Sequence, residues 1–510
     1  TTESTSPAQP PTGKSIIELS PFILNEQAGT GYAATETLSG TRLRTDLRDV
    51  SASLSILTPE FIQDLGITSF EQALTYTPSV NLDQGDPSNG GVALRAGSGQ
   101  DFSIRGFSGD AGISNDFFSG YVTNDIYNTE RITLSLGPNA LLIGVGSPQG
   151  AVVTSTKRAK MGKTSTQISF RTAKWDSHRV SLDHNQPLIA NRLALRINGL
   201  FDRQHEFRGA EGKNQERVTL GLVAQPWKNT KVTINHENYD VGLNNAALVW
   251  GFDGAALAWM AAGKPVVGND PRNYLLPINA QTQTIVIGLD LANPLVNMRT
   301  QRTLPAATFG GVNSISYTSL RPWETFGLSQ DTFLYGGTRK NPPNQLRGSW
   351  THLLLEQKLA PNLYLELAGA RARQHRDLDQ NNLTNITIDP NPLMSDGSPN
   401  PGYLVPYHDS GVSLIRIFDD KSDEYRATLS YELDLARRGP WLGRHSVSLL
   451  GQTGTKYASQ VGLAAYNLGT VGRAGWGNAA TANVNRFNVR HYFLNGNVPE
   501  FWAASELMDH

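Results

Sequence analysis

The side chains of this 510-residue chain that could do chemistry favour binding over catalysis. The segment 108–121 (SGDAGISNDFFSGY) mixes hydrogen-bonding groups with aromatic faces. This mixture suits a small ligand that combines polar groups with flat surfaces. The candidate ligand-binding residues are Asp110, Ser114, Asn115, Asp116, Phe117, Phe118 and Tyr121. The alternative is a surface loop that packs on neighbouring loops.

The sequence offers no catalytic constellation. It contains no HExxH motif, no GxSxG elbow and no Walker loop, and none of its 10 histidines stands at helical metal-ligand spacing. The chain has no cysteine, which excludes disulfides, thiolate metal sites and cysteine nucleophiles. We therefore predict that the protein is not an enzyme and has neither a metal site nor a cofactor.

The charge balance argues against a nucleic-acid partner. Lys and Arg total 44 and Asp and Glu total 45, so the formal net charge is -1. Nucleic-acid-binding domains carry a basic patch or stripe, and the sequence shows neither. We predict no nucleic acid among the partners.

Long β-strands fill the chain after Gly162. Apolar and polar residues alternate there with a period of two, which predicts strands with one face buried. Strand lengths approach the ~9–11 residues that a tilted strand needs to cross a bilayer. The nine candidate strands lie near 164–174, 178–185, 191–203, 216–225, 230–239, 346–358, 362–373, 423–435 and 444–456.

The links between these strands differ in length by parity. Short, turn-rich links follow the even strands, and longer links follow strands three, five and seven, with the longest at about 240–345. An up-and-down barrel in an outer membrane has short turns at one end and long loops at the other. We therefore predict that short turns always follow even strands and that long loops follow odd strands. Because single-chain bacterial barrels have an even number of strands, we also expect nine strands to be the N-terminal part of a larger barrel.

The first part of the chain has a different pattern. Residues 1–13 are rich in Thr, Ser, Pro and Gln, which favours disorder. From 41 to 160 short strands alternate with two short helices, PEFIQDLG after Thr58 and SFEQALTYTP from Ser69. We divide the chain into a flexible segment (1–40), an α+β domain (41–160) and a transmembrane β-barrel portion with long external loops (161–510).

These residues resemble one family. The stretches SASLSILTPEFIQDLGITSFEQALTYTPSV (51–80), DFSIRGF (101–107) and YNTERITLSLGPNALLIGVGSPQGAVVTSTKR (127–158) are similar to the plug domain of TonB-dependent outer-membrane receptors. SIIELSPF (15–22) lies where the box that contacts TonB would be. The chain departs from the family pattern at Leu136, where an Arg is usual, and at Gln149, where a Gly is usual.

The resemblance implies a fold and a set of roles. The fold would be mostly β, an α+β plug followed by an antiparallel up-and-down barrel of about 22 strands, with nine present and the C-terminal part missing. The candidate ligand-binding residues would lie at the plug apex. Arg105 and Arg131 would pair with acidic groups of the barrel wall, because an unpaired charge is costly there, and Glu130 would serve as a similar lock; the alternative is solvated charges in a wet lumen. The TonB box would consist of Ile16, Ile17, Glu18, Leu19 and Ser20.

The resemblance also implies a function. The GPNALLIGVGSPQG block looks closest to siderophore-type plugs, so the expected function is TonB-dependent active import of a ferric siderophore. Import of an oligosaccharide or of cobalamin, or a non-transporting surface barrel or adhesin, are the alternatives. The expected location is the outer membrane of a Gram-negative-type bacterium. The expected partners are outer-membrane lipid, a small ligand and TonB of the inner-membrane energy-coupling complex.

Overall fold

The structure is a computed structural model. It describes residues 31–38, 45–50, 53–82, 102–105, 107–108, 112–118, 125–136, 150–205, 212–244, 284–288, 298–302, 344–380, 387–388, 399, 406–411, 414–435, 439, 441, 443–463 and 488–492. The candidate TonB box, Asp110 and Tyr121 lie outside these residues.

An N-terminal α+β domain precedes the long strands. Its helices are α1 (Pro59–Asp64) and α2 (Phe70–Leu74), and a 3-10 turn covers Leu47–Asp49. Helix α1 begins as the sequence predicts, because the Thr58 hydroxyl accepts a hydrogen bond from the Phe61 amide and Pro59 is the first helical residue. The strands are β1 (Glu36–Thr37), β2 (Thr45–Asp46), β3 (Ser53–Leu57), β4 (Val80–Leu82), β5 (Phe102–Ile104), β6 (Phe107–Ser108), β7 (Gly112–Asn115), β8 (Thr129–Leu136) and β9 (Gly150–Thr156).

The core of this domain lies between its two helices and its main sheet. That sheet has the order β3-β8-β9-β7, and a second sheet has the order β4-β5-β6. Apolar side chains from both helices pack on the sheet, among them Phe70, Leu74, Ile132 and Leu134. In the described part of the chain no helix is long and apolar enough to span a membrane.

A nine-stranded antiparallel sheet follows, and it confirms the mostly β fold class. Each predicted strand coincides with an observed one, although most observed strands are longer. They are β10 (Ser165–Ala173), β11 (Ser177–Ile189), β12 (Leu193–His205), β13 (Gly212–Trp227), β14 (Thr230–Asn244), β17 (Asn344–Ala360), β18 (Leu363–Gln380), β21 (Leu414–Asp434) and β22 (Arg444–Leu463). Neighbours pair in this order, with β10 and β22 at the two edges.

The polarity of this sheet is the reverse of that in a soluble protein. Large apolar side chains face outward and are exposed, such as Ile168 (70%), Leu220 (46%) and Leu449 (72%). The opposite face carries buried polar and charged residues, such as Arg196, Asn198 and Glu237. An apolar outside and a polar inside are the pattern of membrane barrels, whose outer surface meets lipid.

The parity rule for the links is wrong at the first link. The link 174–176 between β10 and β11 is short although it follows an odd strand. Both Trp175 and Asp176 have positive φ, 57° and 60°. Two successive residues with positive φ make the tight hairpin turn that matches strand twist, so no long loop is needed there.

The links also contain a small sheet that the sequence did not predict. Its strands are β15 (Thr284–Gly288), β16 (Met298–Arg302), β19 (Thr387–Ile388), β20 (Pro406–Gly411) and β23 (Asn488–Tyr492). Their order is β16-β15-β23-β20-β19, and β15 runs parallel to β23. Segments that follow β14, β18 and β22 therefore meet in one sheet.

Candidate functional site

The N-terminal domain contacts the polar face of the nine-stranded sheet through the open end of one hairpin. Strands β8 and β9 pair so that Thr129 faces Thr156. The residues just before β8 (125–128) and just after β9 (157–160) therefore lie side by side. Both segments carry charged or hydrogen-bonding side chains. The first contacts β11, β13 and β14, and the second contacts β11 and β12.

Asp125 and Arg179 form the shortest ion pair of this contact. Arg179 Nη1 donates to Asp125 Oδ2 at 2.7 Å and Nη2 donates to Oδ1 at 2.9 Å. Gln215 Nε2 donates to the same Asp125 carboxylate and to Asp202 at 2.7 Å each. Burial alone would raise the pKa of Asp125, but the hydrogen bonds and the charge of Arg179 lower it below its ordinary value. The carboxylate is therefore held ionised.

Tyr127 and Asn128 add neutral hydrogen bonds beside this pair. The Tyr127 hydroxyl lies 2.7 Å from Thr219 Oγ1 and donates to Glu237 Oε1 at 3.0 Å. Asn128 Nδ2 donates to Thr219 Oγ1 at 2.9 Å and to Glu237 Oε2 at 3.1 Å. Burial and the negative charge of Glu237 raise the pKa of Tyr127, so its hydroxyl remains a donor at every physiological pH.

A second ionic cluster lies one strand pair away. Arg196 binds Asp183 with two hydrogen bonds of 2.8 Å each. Lys157 Nζ of the N-terminal domain lies 2.9 Å from the same Asp183 carboxylate. Glu130 lies 3.4 Å from Arg196 and 3.5 Å from Lys160. Charged groups of both domains thus alternate in sign across the contact.

A third contact, on β17, β18 and β21, packs the Phe118 ring against apolar side chains and against Arg426 of β21. Phe118 is fully buried, and the Arg426 guanidinium carbon lies 4.7 Å from its ring centroid. Asp116 Oδ2 lies 3.6 Å from His352 Nδ1, which is too long for a hydrogen bond. The ring of Phe118 packs in one cluster with Trp350, Leu354, Ala368, Ala370 and Ala372.

None of these contacts forms a catalytic constellation. Within the described ranges no group of three His, Asp or Glu residues lies close enough together to hold a metal ion. The buried carboxylates Asp125 and Asp183 instead face Arg side chains. Such an arrangement can hold one domain inside another.

The domain that carries Asp125 and Glu130 matches a known family. Residues 46–151 fit the family model described as the TonB-dependent receptor plug domain. The chain contains a TonB-dependent receptor plug domain. The nine-stranded sheet that receives it is similar to the barrels of these receptors, and we call this sheet the wall.

Named receptors are similar to this chain in sequence and in fold. The ferrioxamine receptor of Yersinia enterocolitica is 26% identical over 208 residues, which are 40% of this chain and 29% of that receptor. The ferripyoverdine receptor of the outer membrane of Pseudomonas aeruginosa, solved with bound ferripyoverdine, superposes with a TM-score of 0.54 at 13% identity. That superposition covers 87% of this chain and 47% of the solved one.

A second solved structure shows the same fold. The siderophore receptor PiuA from Acinetobacter baumannii superposes with a TM-score of 0.51 at 15% identity, over 83% of this chain and 48% of that chain. The chain therefore spans about half the length of these solved receptors.

The structure places three of the candidate ligand-binding residues, Asp116, Phe117 and Phe118, against the wall. Ser114, Asp116, Phe117 and Phe118 are buried, and Asn115 is half-buried. Asn115 and Thr156 share a hydrogen bond of 3.0 Å inside the plug. Asp110 and Tyr121 lie outside the described residues. Ligand binding by this set stays a prediction. The buried side chains of Asp116 and Phe118 also hold the plug against the wall.

The three residues that the sequence predicts to hold the plug on the wall, Arg105, Glu130 and Arg131, have different surroundings. Glu130 contacts the wall at Arg196. Arg131 donates to the backbone oxygen of Glu36, at 3.0 Å, within the plug itself. Arg105 is exposed, has a φ of 55°, and forms no ion pair with a described residue. Of the three, only Glu130 therefore reaches a charged group of the wall among the described residues.

Sequence reasoning missed most of the contact between plug and wall. Asp125, Tyr127 and Asn128 lie just before the ERITLSL strand, and no motif marks them. The wall residues carried a signal, since Asp183, Arg196, Asp202, Arg217 and Glu237 stand at inward positions of alternating strands. A charged residue in the inward register of an apolar-outside strand is typical of the polar interior of a membrane barrel, where it faces either water or a plug.

Proposed function

We propose that this protein is an outer-membrane receptor that imports a ferric siderophore by TonB-dependent active transport. The observation that carries the proposal is the plug domain, held by buried charges on the polar face of strands whose other face is apolar. The relatives named as ferrioxamine and ferripyoverdine receptors support a ferric siderophore as the ligand class. The apolar outer face supports contact with outer-membrane lipid.

The proposed mechanism assigns a task to each part of the chain. Residues 41–160 form the plug that blocks the barrel, and residues 161–510 supply part of the barrel and its external loops. Ligand binds outside, to the plug apex and the loops. Residues 15–22 add as a strand to TonB, which couples the receptor to the energy of the inner membrane. The outer membrane itself holds no gradient, so the pull must come from that complex.

Binding of candidate ligands to the purified protein tests the proposal. Quenching of tryptophan fluorescence is measured with ferrioxamine, ferripyoverdine and a ferric catecholate, and each iron-free chelator serves as the matched control. We expect one ferric complex to bind more tightly than its iron-free form. Binding of an oligosaccharide or of cobalamin instead would replace the ligand class, and no binding by any probe would favour a non-transporting surface barrel.

Abundance in the cell gives a second, independent test. Outer-membrane fractions from iron-starved and iron-replete cells are compared for the amount of this protein. A ferric-siderophore receptor should increase on starvation, because its ligand is then scarce. An unchanged amount would count against iron as the cargo.

A further inference from the structure

The two sides of the plug are held to the wall by different kinds of contact. We call the contact with β11 to β13 and with Glu237 of β14 the lock; its plug residues are Asp125, Tyr127, Asn128, Glu130 and Lys157. We call the contact with β17, β18 and the first half of β14 the seam. Its residues are Asp116, Phe118, Thr233, Asn235, Trp350, His352 and Ala370.

The lock contains short, charge-assisted hydrogen bonds. Arg179 holds Asp125 at 2.7 and 2.9 Å, and Lys157 holds Asp183 at 2.9 Å. The side chains of Asp125 and Arg179 are only 3% and 11% exposed. Separating these groups would leave buried charges without partners, so the lock resists opening.

The seam contains buried polar groups without hydrogen bonds. Among the described residues, neither ring nitrogen of His352, neither amide atom of Asn235, nor the Trp350 indole nitrogen has a partner. His352 and Asn235 face each other across β14 and β17, and each is 1% exposed. Thr233 Oγ1 and Asp116 Oδ2 lack partners as well. These donors and acceptors can form hydrogen bonds with water or with a polar molecule that enters the seam, whereas β12 of the lock carries one such atom, Asn198 Nδ2.

The shape of the seam also favours the entry of water or of a polar molecule. Ala368, Ala370 and Ala372 stand at successive inward positions of β18, and the Phe118 ring fills the space above them. If the ring withdraws, these small side chains leave a gap beside His352. A polar cavity lined by Asn128, Glu237, Trp350 and other residues lies at the boundary between lock and seam.

We propose that the plug opens along the seam while the lock stays closed, so that the imported ligand passes between the plug and β14, β17 and β18. This inference rests on the proposed transport function. The seam offers indole and amide N–H groups, an imidazole and a hydroxyl, which suit a polar chelate. The lock acts as the hinge.

Thiol labelling tests which side opens, independently of transport. The chain has no cysteine, so single Ala370→Cys and Ala194→Cys variants each carry one thiol. Both alanines are buried on the inward face of the wall, Ala370 at the seam and Ala194 on β12 beside the lock. The purified protein is incubated with a water-soluble maleimide at increasing urea concentrations. We expect Ala370→Cys to react at a lower urea concentration than Ala194→Cys. Reaction at the same concentration, or in the reverse order, would overturn the proposal.

A reversible tether tests the ligand path. The Asp116→Cys/His352→Cys variant is oxidised to a disulfide across the seam, and uptake of radiolabelled ferrioxamine, ferripyoverdine and a ferric catecholate is measured. Both redox forms of this variant lack the Asp116 and His352 side chains, so the difference between them reports the tether alone. We expect the oxidised form to take up less chelate than the reduced form. Equal uptake by the two forms would contradict the proposed path. If the unmodified protein takes up none of these chelates, the transport function fails, whereas the labelling order still decides which side opens.

Discussion

At the scale of single residues, buried charges hold the plug and the wall together. Asp125 accepts two hydrogen bonds from Arg179 and another from Gln215, and all three groups come from different segments of the chain. A buried pair of this kind adds little net stability over an apolar contact, but the removal of one partner leaves the other charge buried and unpaired. The lock therefore responds strongly to single substitutions.

Replacement of Arg179 should loosen the plug. For Arg179→Ala we expect a loss of about 3–5 kcal/mol in the free energy of unfolding, because the Asp125 carboxylate loses its partner. Urea denaturation of the purified protein measures this loss. The matched control is Arg347→Ala, which breaks the exposed pair with Asp240 and should change stability by about 1 kcal/mol or less. Equal effects of the two variants would refute a buried lock.

Acid should weaken the lock through Asp125. Its pKa is lowered in the folded protein, so its contribution to stability is complete above the ordinary aspartate pKa of about 3.9 and disappears as pH falls through the lowered value. We expect unfolding midpoints to fall in this acid range. Asp125→Asn should reduce the steepness of that pH dependence, and an unchanged slope would show that other carboxyl groups cause it.

At the scale of elements, the strands of the wall could be predicted and their partners could not. Alternation such as that of Leu193, Leu195 and Ile197 reveals a strand because its period is two. The same alternation cannot show whether an inward Arg196 faces water or a plug. The pairing of β15 with β23 could not be predicted either, because it joins Ile285 to Asn488, and four strands of the wall lie between them in the sequence.

A single glycine of β17 tests how closely two of these strands pack. Gly348 lies opposite Tyr239 of β14, and an added Cβ would overlap the phenol ring. We expect Gly348→Ala to destabilise the protein by about 1–3 kcal/mol, since Tyr239 must move from its place beside Arg217. The control is Gly451→Ala on β22, where an added Cβ would meet no atom within 4 Å. Thermal unfolding compares the two, and a similar shift in both would argue against this packing.

At the scale of the whole molecule, the wall has an apolar outer face and a polar inner face. The sequence indicated this polarity through its alternating strands and its links of unequal length. It failed at the β10–β11 link, because a hairpin with positive φ at Trp175 and Asp176 needs no long loop. The position of the plug against β11 to β14 depended on contacts between distant segments, which no local pattern encodes.

A charge on the outer face of the wall tests whether that face meets lipid. Leu220 is exposed, so Leu220→Arg would change the stability of a soluble protein by only about 0.5 kcal/mol. In a membrane barrel the same change should cost about 2–4 kcal/mol near the midplane. Leu188→Arg, beside the turn at 190–192, is the control and should cost about 0–1 kcal/mol. Folding into lipid vesicles measures both, and a harmless Leu220→Arg would contradict the membrane location.

Energy-dependent uptake is the most direct test of the central claim that this plug belongs to a TonB-dependent importer. Radiolabelled ferric chelates are supplied to iron-starved cells that express the protein or a variant without residues 15–22. A variant without residues 3–10 is the control of equal length. We predict that deletion of 15–22 abolishes uptake but leaves chelate binding intact, and that the control deletion changes neither. Uptake that persists without residues 15–22, or that never depended on the protein, would contradict the account.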